Sequence, residues 1–244
     1  GRLRVDPIKQ VSKLNTRTDR RRRRRALTDG EIARLVQAAE NGPVVGGMAG
    51  PDRAMLYRLA VQTGLRANEL RNLTPRSFHL RDLRQATLTV EAAYSQHRRE
   101  DVLPLGPELA REMAAYVNGR PCDEQLFAVP EKTARMLRTD LRRARAGWIR
   151  EGRDGKERRR RRDASFLAVR DGAGRVVDFH ALRHTFITRL ARSGVAPAVA
   201  KSLARHSTIT LTMDHYTHTL IEDERSALAR LPELETKRAK KETA

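Results

Sequence analysis

Apolar residues recur at helical spacing along most of this chain, starting directly after the capping-box pattern Thr28-Asp29-Gly30-Glu31. Ile32, Leu35, Val36 and Ala39 then share one predicted helical face, and Asn41-Gly42-Pro43 ends that helix. Similar patterns predict further helices over residues 51–63, 107–117, 132–149, 180–190, 199–203 and 221–231. The chain is therefore predicted to be mainly helical.

Two short segments depart from helical periodicity. Residues 86–91, Ala-Thr-Leu-Thr-Val-Glu, alternate between apolar and polar, and residues 101–105 can return beside them as a β-hairpin. A second hairpin is predicted around Asp171-Gly172-Ala173-Gly174, between residues 166–169 and 175–179. The predicted fold class is α+β, mainly α-helical, with small β-hairpins.

The two ends of the chain and one internal segment lack an apolar stripe. Residues 1–25 are polar and end in six arginines, so they are predicted to form a basic linker, with folded structure beginning at Thr28. A folded domain is expected over 26–235 and a charged tail over 236–244. Residues 153–162, with five consecutive arginines, are predicted to be an exposed insertion and a solvated loop.

Charge narrows the class of partner. The formal net charge is +20 over 244 residues, with a pI near 11.3, which is typical of proteins that neutralise phosphates, although acidic membranes or RNA would explain it equally well. An aromatic fraction of 4% disfavours the stacking of unpaired bases, so double-stranded DNA is the predicted partner. No apolar run is long enough to cross a bilayer and no signal-peptide pattern is seen at the start, which predicts a soluble, unexported protein of the cytoplasm or nucleus without a membrane partner. The expected localisation is cytoplasmic. Cys122 stands alone, so neither a disulfide nor a zinc knuckle is expected.

Four motifs carry residues suited to phosphodiester chemistry. Permanently charged guanidinium groups can hold the non-bridging oxygens of a phosphodiester while charge builds up, and Arg66 and Arg183 are the candidates for that clamp. Tyr216 is the candidate nucleophile; a phenol with an ordinary pKa of roughly 10 needs such a cationic site to attack at neutral pH. The motifs are Thr63-Gly64-Leu65-Arg66-Ala67-Asn68-Glu69-Leu70, His180-Ala181-Leu182-Arg183-His184-Thr185, Leu203-Ala204-Arg205-His206 and Met213-Asp214-His215-Tyr216.

In this order the motifs resemble the catalytic domain of a tyrosine recombinase, the phage-integrase type of site-specific DNA recombinase. The first motif has that family's Thr-Gly-x-Arg-x-x-Glu form and the second has its His-x-x-Arg-His form. No single motif is specific enough to identify the family, so the resemblance depends on finding all of them in this order. The resemblance implies the tyrosine-recombinase catalytic-domain fold. It also implies a homo-tetramer assembled on two DNA duplexes. Full-length members carry an N-terminal DNA-binding domain before such a linker, and this chain is expected to be a fragment without it.

The resemblance implies a reaction without cofactor, metal or ATP. Tyr216 would attack the scissile phosphate, leaving a 3′-phosphotyrosyl link and a free 5′-hydroxyl, and a second strand's 5′-hydroxyl would reverse the attack. Arg66 and Arg183 would stabilise the pentavalent centre. His180 would take part in proton transfer with the nucleophile, and His206 would donate a hydrogen bond to a non-bridging oxygen. Glu69 is interpreted as a structural support for an arginine, by a charge-assisted bond.

The sequence departs from the family at one catalytic position. The family usually places a lysine in the first hairpin to protonate the leaving 5′-oxygen, and that position falls at Gln96. A neutral amide donates hydrogen bonds but supplies no proton. His97 could titrate near neutral pH, whereas Arg98 and Arg99 could stabilise charge but hardly release a proton. The general acid is therefore unassigned.

Two other function classes stay open. A type IB topoisomerase would use a similar set of residues to relax supercoils, and a degenerate DNA-binding module that no longer cuts is compatible with Gln96. Strand exchange between two defined sites would distinguish a recombinase from a topoisomerase. A trapped covalent DNA adduct would exclude the non-cutting module. The predicted helix at 221–231 packs either on its own domain or on a neighbouring subunit.

Overall fold

The structure is a computed structural model that describes residues 23–95, 98–213 and 216. The chain divides into two compact units, Gly1–Thr185 and Phe186–Ala244. The expected α+β, mainly helical fold is confirmed. In chain order the helices and strands are α1 (Asp29–Glu40), α2 (Gly50–Thr63), α3 (Ala67–Arg71), β1 (Phe78–His79), β2 (Thr87–Val90), β3 (Asp101–Pro104), α4 (Pro107–Val117), α5 (Thr133–Arg150), α6 (Gly155–Asp163), α7 (His180–Arg192) and α8 (Pro197–Ala204).

The ends of the first two helices form where local signals place them. The Thr28 hydroxyl accepts a hydrogen bond from the Glu31 amide at 3.2 Å, and a Glu31 carboxylate oxygen accepts one from the Thr28 amide at 2.9 Å. This is the predicted capping box of α1. Helix α2 ends at Gly64, which has φ +66° and donates its amide to the Ala60 carbonyl. Glycine adopts this left-handed conformation without the steric cost that a Cβ would add.

The three strands form one antiparallel sheet in the order β1-β2-β3. The predicted first hairpin is confirmed, with Val90 opposite Asp101 at the start of its connecting loop. The second predicted hairpin is present in a shorter form: Arg170 and Val176 form an antiparallel bridge, and the Asp171 and Val177 amides donate to the Arg175 and Val169 carbonyls at 3.0 and 2.9 Å. The Asp171 carboxylate also holds the turn, because it accepts the Ala173 and Arg175 amides at 3.1 and 2.8 Å.

The core of the first unit joins α2 to α5 through a buried ion pair. Arg53 and Asp140 are 0% and 1% exposed at their side chains, and Arg53 Nε lies 2.9 Å from an Asp140 carboxylate oxygen. The hydroxyl of Tyr57 donates to the same carboxylate at 2.7 Å. Arg53 Nη1 donates to both the Pro43 and the Met48 carbonyls, so the buried charge is well supplied with hydrogen bonds.

Folded structure begins earlier than Thr28. Arg25 is 9% exposed and donates from both terminal nitrogens to the two carboxylate oxygens of Glu31, at 2.9 and 2.8 Å. Arg24 and Arg25 also pair with the chain near Val176, through a parallel bridge and an Arg25 amide to Val176 carbonyl bond of 3.2 Å. The last arginines of the predicted linker are therefore structural, because their partners lie far along the chain.

The five-arginine segment is helix α6 rather than the predicted loop. The Asp154 carboxylate caps its N-terminus by accepting the Glu157 amide at 2.7 Å. Arg161 lies over the Trp148 ring, 5.2 Å from its centroid, and bonds to Glu157 at 2.7 Å. Arg145 of α5 donates to the Arg162 and Ala164 carbonyls at the other end. Arginine is a good helix former, and its positive charge suits a helix C-terminus.

The second unit has a small core of its own. Phe186 and Ile187 of α7 pack with Ala204 of α8, and Ala191 and Ala200 pack with Tyr216. The predicted helix at 221–231 and the tail at 236–244 lie outside the described residues. Within the part of the chain that is described, no helix combines the length and the hydropathy needed to span a bilayer.

Candidate active site

Arg66 lies at the N-terminal end of α3, immediately after the Gly64 turn. Its amide donates to one carboxylate oxygen of Glu69 at 2.8 Å, and its Nη1 lies 3.3 Å from the other. The Glu69 side chain is 1% exposed and that of Arg66 is 25% exposed. The expected support of an arginine by Glu69 is therefore present, and it leaves the guanidinium group of Arg66 accessible to an anion.

Arg183 connects the first two motifs. It lies on α7, is 3% exposed, and donates from Nη1 to the Gly64 carbonyl at 2.6 Å. The carbonyl is available because α2 ends at Gly64 and the chain turns there. The first motif thus supplies both Arg66 and the backbone acceptor that orients Arg183, a contact between residues 119 positions apart that the sequence did not reveal.

His180 is the first residue of α7 and lines an open pocket with Arg66. Burial lowers the pKa of His180 below its ordinary 6.5; the charges of Arg24, Arg183 and Arg66 lower it further, and the charge of Asp178 opposes them. The imidazole is thereby kept neutral to lower pH, the state in which it can accept a proton.

Asp178 and Arg24 are neighbours of His180 that sequence reasoning missed. Arg24 Nε lies 2.8 and 3.0 Å from the two carboxylate oxygens of Asp178. Burial by itself would raise the pKa of Asp178, but the hydrogen bond and charge of Arg24 hold it below its ordinary value. An aspartate just before a helix is a recognisable N-cap signal, yet its pairing with Arg24 spans 154 positions of sequence.

His206 is held by the end of α8 in the second unit. Arg205 adopts a left-handed conformation with φ 53°, its amide donates to the Ser202 carbonyl at 2.9 Å, and the His206 amide donates to the Lys201 carbonyl at 3.1 Å. This pair of bonds is a Schellman motif. Nδ1 of His206 lies 3.0 Å from the hydroxyl of the buried Thr212. That contact orients the ring and directs Nε2 away from Thr212.

Tyr216 lies in the core of the second unit. It is 7% exposed, packs against Ala191 and Ala200, and donates its hydroxyl hydrogen to the Val195 carbonyl. Burial raises the pKa of Tyr216 above its ordinary value of 10.0. In this conformation the hydroxyl is a hydrogen-bond donor to the protein's own backbone and is not presented to an external phosphate.

The proposed general-acid position cannot be placed, because Gln96 and His97 lie outside the described residues. Around them, the Asp101 carboxylate accepts bonds from Ser95 at 2.9 Å and from Arg99 at 3.2 Å. Arg98 is exposed and has φ 50°. Arg99 is thus paired with a carboxylate, while Arg98 projects from the loop that connects β2 to β3.

The first unit therefore gathers Arg66, His180 and Arg183, and the second unit carries His206 and Tyr216. Arg66 and His180 line one pocket, and the charge of the buried Arg183 acts on the same imidazole. A guanidinium group beside an imidazole suits an anionic ligand to or from which a proton is moved. No cluster of three or more metal-ligating side chains occurs among the residues that the structure covers.

Comparison with known proteins identifies the family. Residues 25–222 match the family described as the phage integrase family, so the chain belongs to that family. It is similar to tyrosine recombinase XerD of Pseudomonas putida, with 28% identity over 202 residues. The aligned region is 80% of this chain and 57% of that relative, so the chain spans little more than half of the relative's length.

Solved structures agree on the fold. The catalytic domain of bacteriophage HP1 integrase is 19% identical, with a TM-score of 0.52 over 86% of this chain and 96% of that one. XerA recombinase gives a TM-score of 0.55 at 19% identity, over 86% of this chain and 65% of that one. The Tn1549 transposon integrase in complex with transposon right end DNA gives 0.55 at 17% identity, over 85% and 66%. The expected tyrosine-recombinase catalytic-domain fold is confirmed.

Proposed function

We propose that this protein is a site-specific DNA recombinase that cuts and rejoins strands through a 3′-phosphotyrosyl intermediate. The observation that supports this most strongly is the arrangement of Arg66, His180 and Arg183 in one unit, with Arg66 supported by Glu69 and Arg183 by the Gly64 carbonyl. A guanidinium group that is held by a carboxylate or a backbone carbonyl is already oriented before DNA binds. Such prior orientation is what allows a group to stabilise the charge that develops in a transition state.

The proposed chemistry is a transesterification. The phenolic oxygen of Tyr216 forms a bond to phosphorus while the bond from phosphorus to the 5′-oxygen breaks. Neutral His180 accepts the phenolic proton, and a general acid protonates the leaving 5′-oxygen. Arg66, Arg183 and His206 hold the non-bridging oxygens. Attack by the 5′-hydroxyl of another strand reverses these steps, so the energy of the phosphodiester is retained without ATP, metal or cofactor.

The burial of Tyr216 adds a step before cleavage. Its hydroxyl must leave the Val195 carbonyl before it can attack, and the apolar contacts with Ala191 and Ala200 oppose that release. Once the phenol reaches a cationic pocket, the raised pKa caused by burial no longer applies and ionisation becomes easier. Release of Tyr216 therefore controls when the enzyme can cut.

Exposed arginines without ion pairs supply the proposed DNA-binding surface. Arg135, Arg138 and Arg142 share one face of α5, are exposed, and pair with no carboxylate in the described part of the chain. This face begins beside the pocket, because Thr133 and Ala134 line it together with Arg66. It spans about 10 Å, comparable to three phosphates of one DNA strand. Double-stranded DNA that enters the pocket would be held along α5.

The assembly proposed for this reaction is a homo-tetramer on two DNA duplexes, acting in the cytoplasm. The test uses the natural full-length protein and a supercoiled plasmid with two copies of the DNA that flanks its gene. We expect deletion or inversion of the segment between the copies. Relaxation of the plasmid without exchange would instead indicate a topoisomerase, and binding without any cleavage would indicate a DNA-binding module.

A further inference from the structure

Arg24, the fifth residue of the six-arginine run, contacts Asp178, two residues before His180 and the start of α7. Its Nε lies 2.8 and 3.0 Å from the two carboxylate oxygens of Asp178, and the pair is partly shielded, with side-chain exposures of 34% and 20%. The backbone fixes the same segment, because the Val176 amide donates to the Arg23 carbonyl at 2.8 Å. Side chain and backbone thus both attach residues 23–25 to the approach to α7.

Asp178 in turn holds the start of α7. Its Oδ1 accepts the Ala181 amide at 3.1 Å, and its carbonyl accepts the same amide at 2.9 Å, as an N-cap residue does. His180 lies between Asp178 and Ala181, so the direction of its ring depends on this cap. The guanidinium of Arg24 is the partner that fixes the orientation of the Asp178 carboxylate.

The charges around His180 come from four residues on separate segments. Arg24 precedes α1, Arg66 begins α3, Arg183 lies on α7, and Asp178 precedes α7. Burial lowers the pKa of the imidazole, the three guanidinium groups lower it further, and Asp178 raises it. Arg24 also neutralises Asp178, whose charge acts in the opposite direction, so loss of Arg24 has two effects of the same sign: both raise the pKa of His180.

We propose that Arg24 is a positioning residue for His180: through Asp178 it fixes the start of α7, and it places a permanent positive charge beside the imidazole. This inference rests on the proposed function, since it assigns His180 the role of proton acceptor. The last part of the arginine run is therefore part of the catalytic apparatus, while the arginines of α5 serve the DNA backbone.

The direct test is NMR titration of His180, which needs no cleavage. Arg24→Gln removes the guanidinium charge and should raise the pKa of His180, by on the order of half a pH unit. Asp178→Asn keeps a side chain that can cap α7 but removes the negative charge, and it should lower that pKa. Arg76→Gln is the matched control, because Arg76 forms an exposed ion pair with Asp123 on the protein surface and should leave the pKa unchanged.

A second measurement links the pKa to the reaction. The acid limb of single-turnover cleavage should move upward in pH for Arg24→Gln and downward for Asp178→Asn, and Arg24→Lys, which keeps the charge, should restore most of the wild-type position. Unchanged His180 titration in folded Arg24→Gln and Asp178→Asn would overturn the proposal. Opposite shifts in NMR without any cleavage activity would support the electrostatic coupling and contradict the proposed function instead.

Discussion

At the residue scale, the function of each side chain depends on the neighbour that orients it. The motifs made it possible to predict Arg66, His180 and Arg183, and the spacing within the first motif also predicted the support from Glu69. The contact of Arg183 with the Gly64 carbonyl and that of Arg24 with Asp178 could not be predicted, because they join residues 119 and 154 positions apart. Local patterns predict which residues are candidates for catalysis, whereas long-range contacts in the structure show how those residues are held.

Replacing Arg183 by lysine tests the oriented clamp. The ammonium group keeps the charge but cannot reach the Gly64 carbonyl and two phosphate oxygens with a planar set of donors. We expect cleavage to fall by ~10²–10³ while DNA affinity changes little. Arg192→Lys, at an exposed position of the same helix, is the control. Near-normal single-turnover cleavage by Arg183→Lys would mean that charge alone suffices.

The departure at Gln96 is tested with a substrate whose bridging 5′-oxygen is replaced by sulfur. Sulfur leaves without a proton, and general-acid help is typically worth ~10²–10⁴ in rate, so this substrate should be cleaved much faster than ordinary DNA. Gln96→Lys should accelerate ordinary DNA and reduce that advantage. Equal rates on both substrates, together with no effect of Gln96→Lys, would show that another group donates the proton. His97 and Arg98 would then be the next residues to replace.

At the element scale, predictions succeeded where the cause is local. The capping box of α1 and the left-handed glycine that ends α2 are properties of a few adjacent residues. The start of the fold and α6 were predicted wrongly, because Arg25 needs Glu31 and Ala168, and Arg161 needs Trp148, to become structural. A charge run by itself does not distinguish a solvated segment from one that packs through its arginines.

The buried pair of Arg25 and Glu31 gives a test of stability. Burial by itself would raise the pKa of Glu31, but the bonds from Arg25 and from the Thr28 and Leu167 amides lower it below its ordinary 4.5. Glu31→Gln leaves the Arg25 charge uncompensated and should lower the free energy of unfolding at neutral pH by ~3–5 kcal/mol.

The sign of the pH dependence follows from that lowered pKa. The stabilisation by Glu31 is fully present above pH 4.5 and is lost as pH falls through the lower folded-state pKa. The difference in unfolding free energy between wild type and Glu31→Gln should therefore narrow in that acid range. Glu108→Gln, at an exposed position of α4, should show little difference at any pH in denaturant titrations. If the difference in unfolding free energy between wild type and Glu31→Gln stays constant with pH, this assignment is refuted.

At the scale of the whole molecule, the charge surplus divides into arginines with and without carboxylate partners. Arg34, Arg76 and Arg153 form surface ion pairs with Glu151, Asp123 and Glu157. Arg135, Arg138 and Arg142 form none with any residue that the structure describes, and they lie beside the candidate site. The net charge of +20 could be predicted from the sequence, but this division could not.

The salt dependence of DNA binding separates these two groups. Changing Arg135, Arg138 and Arg142 together to glutamine should reduce the slope of log K against log salt concentration by ~0.9 for each phosphate that the variant no longer neutralises. The same change at Arg34, Arg76 and Arg153 removes equal charge from ion-paired positions and should alter the slope much less. Equal reductions in both triple variants, measured by fluorescence anisotropy, would indicate that net charge alone attracts the DNA.

The central claim is that the Tyr216 oxygen forms a covalent bond to DNA, and trapping that bond tests it most directly. A nicked suicide duplex, from which the short released fragment that bears the free 5′-hydroxyl diffuses away, should leave the wild-type protein attached to the DNA in denaturing detergent. Proteolysis with mass spectrometry should then place the adduct on Tyr216. Tyr216→Phe removes one hydroxyl and no charge, so it should bind the duplex with nearly unchanged affinity and form no adduct. A detergent-resistant adduct formed by Tyr216→Phe would contradict the account.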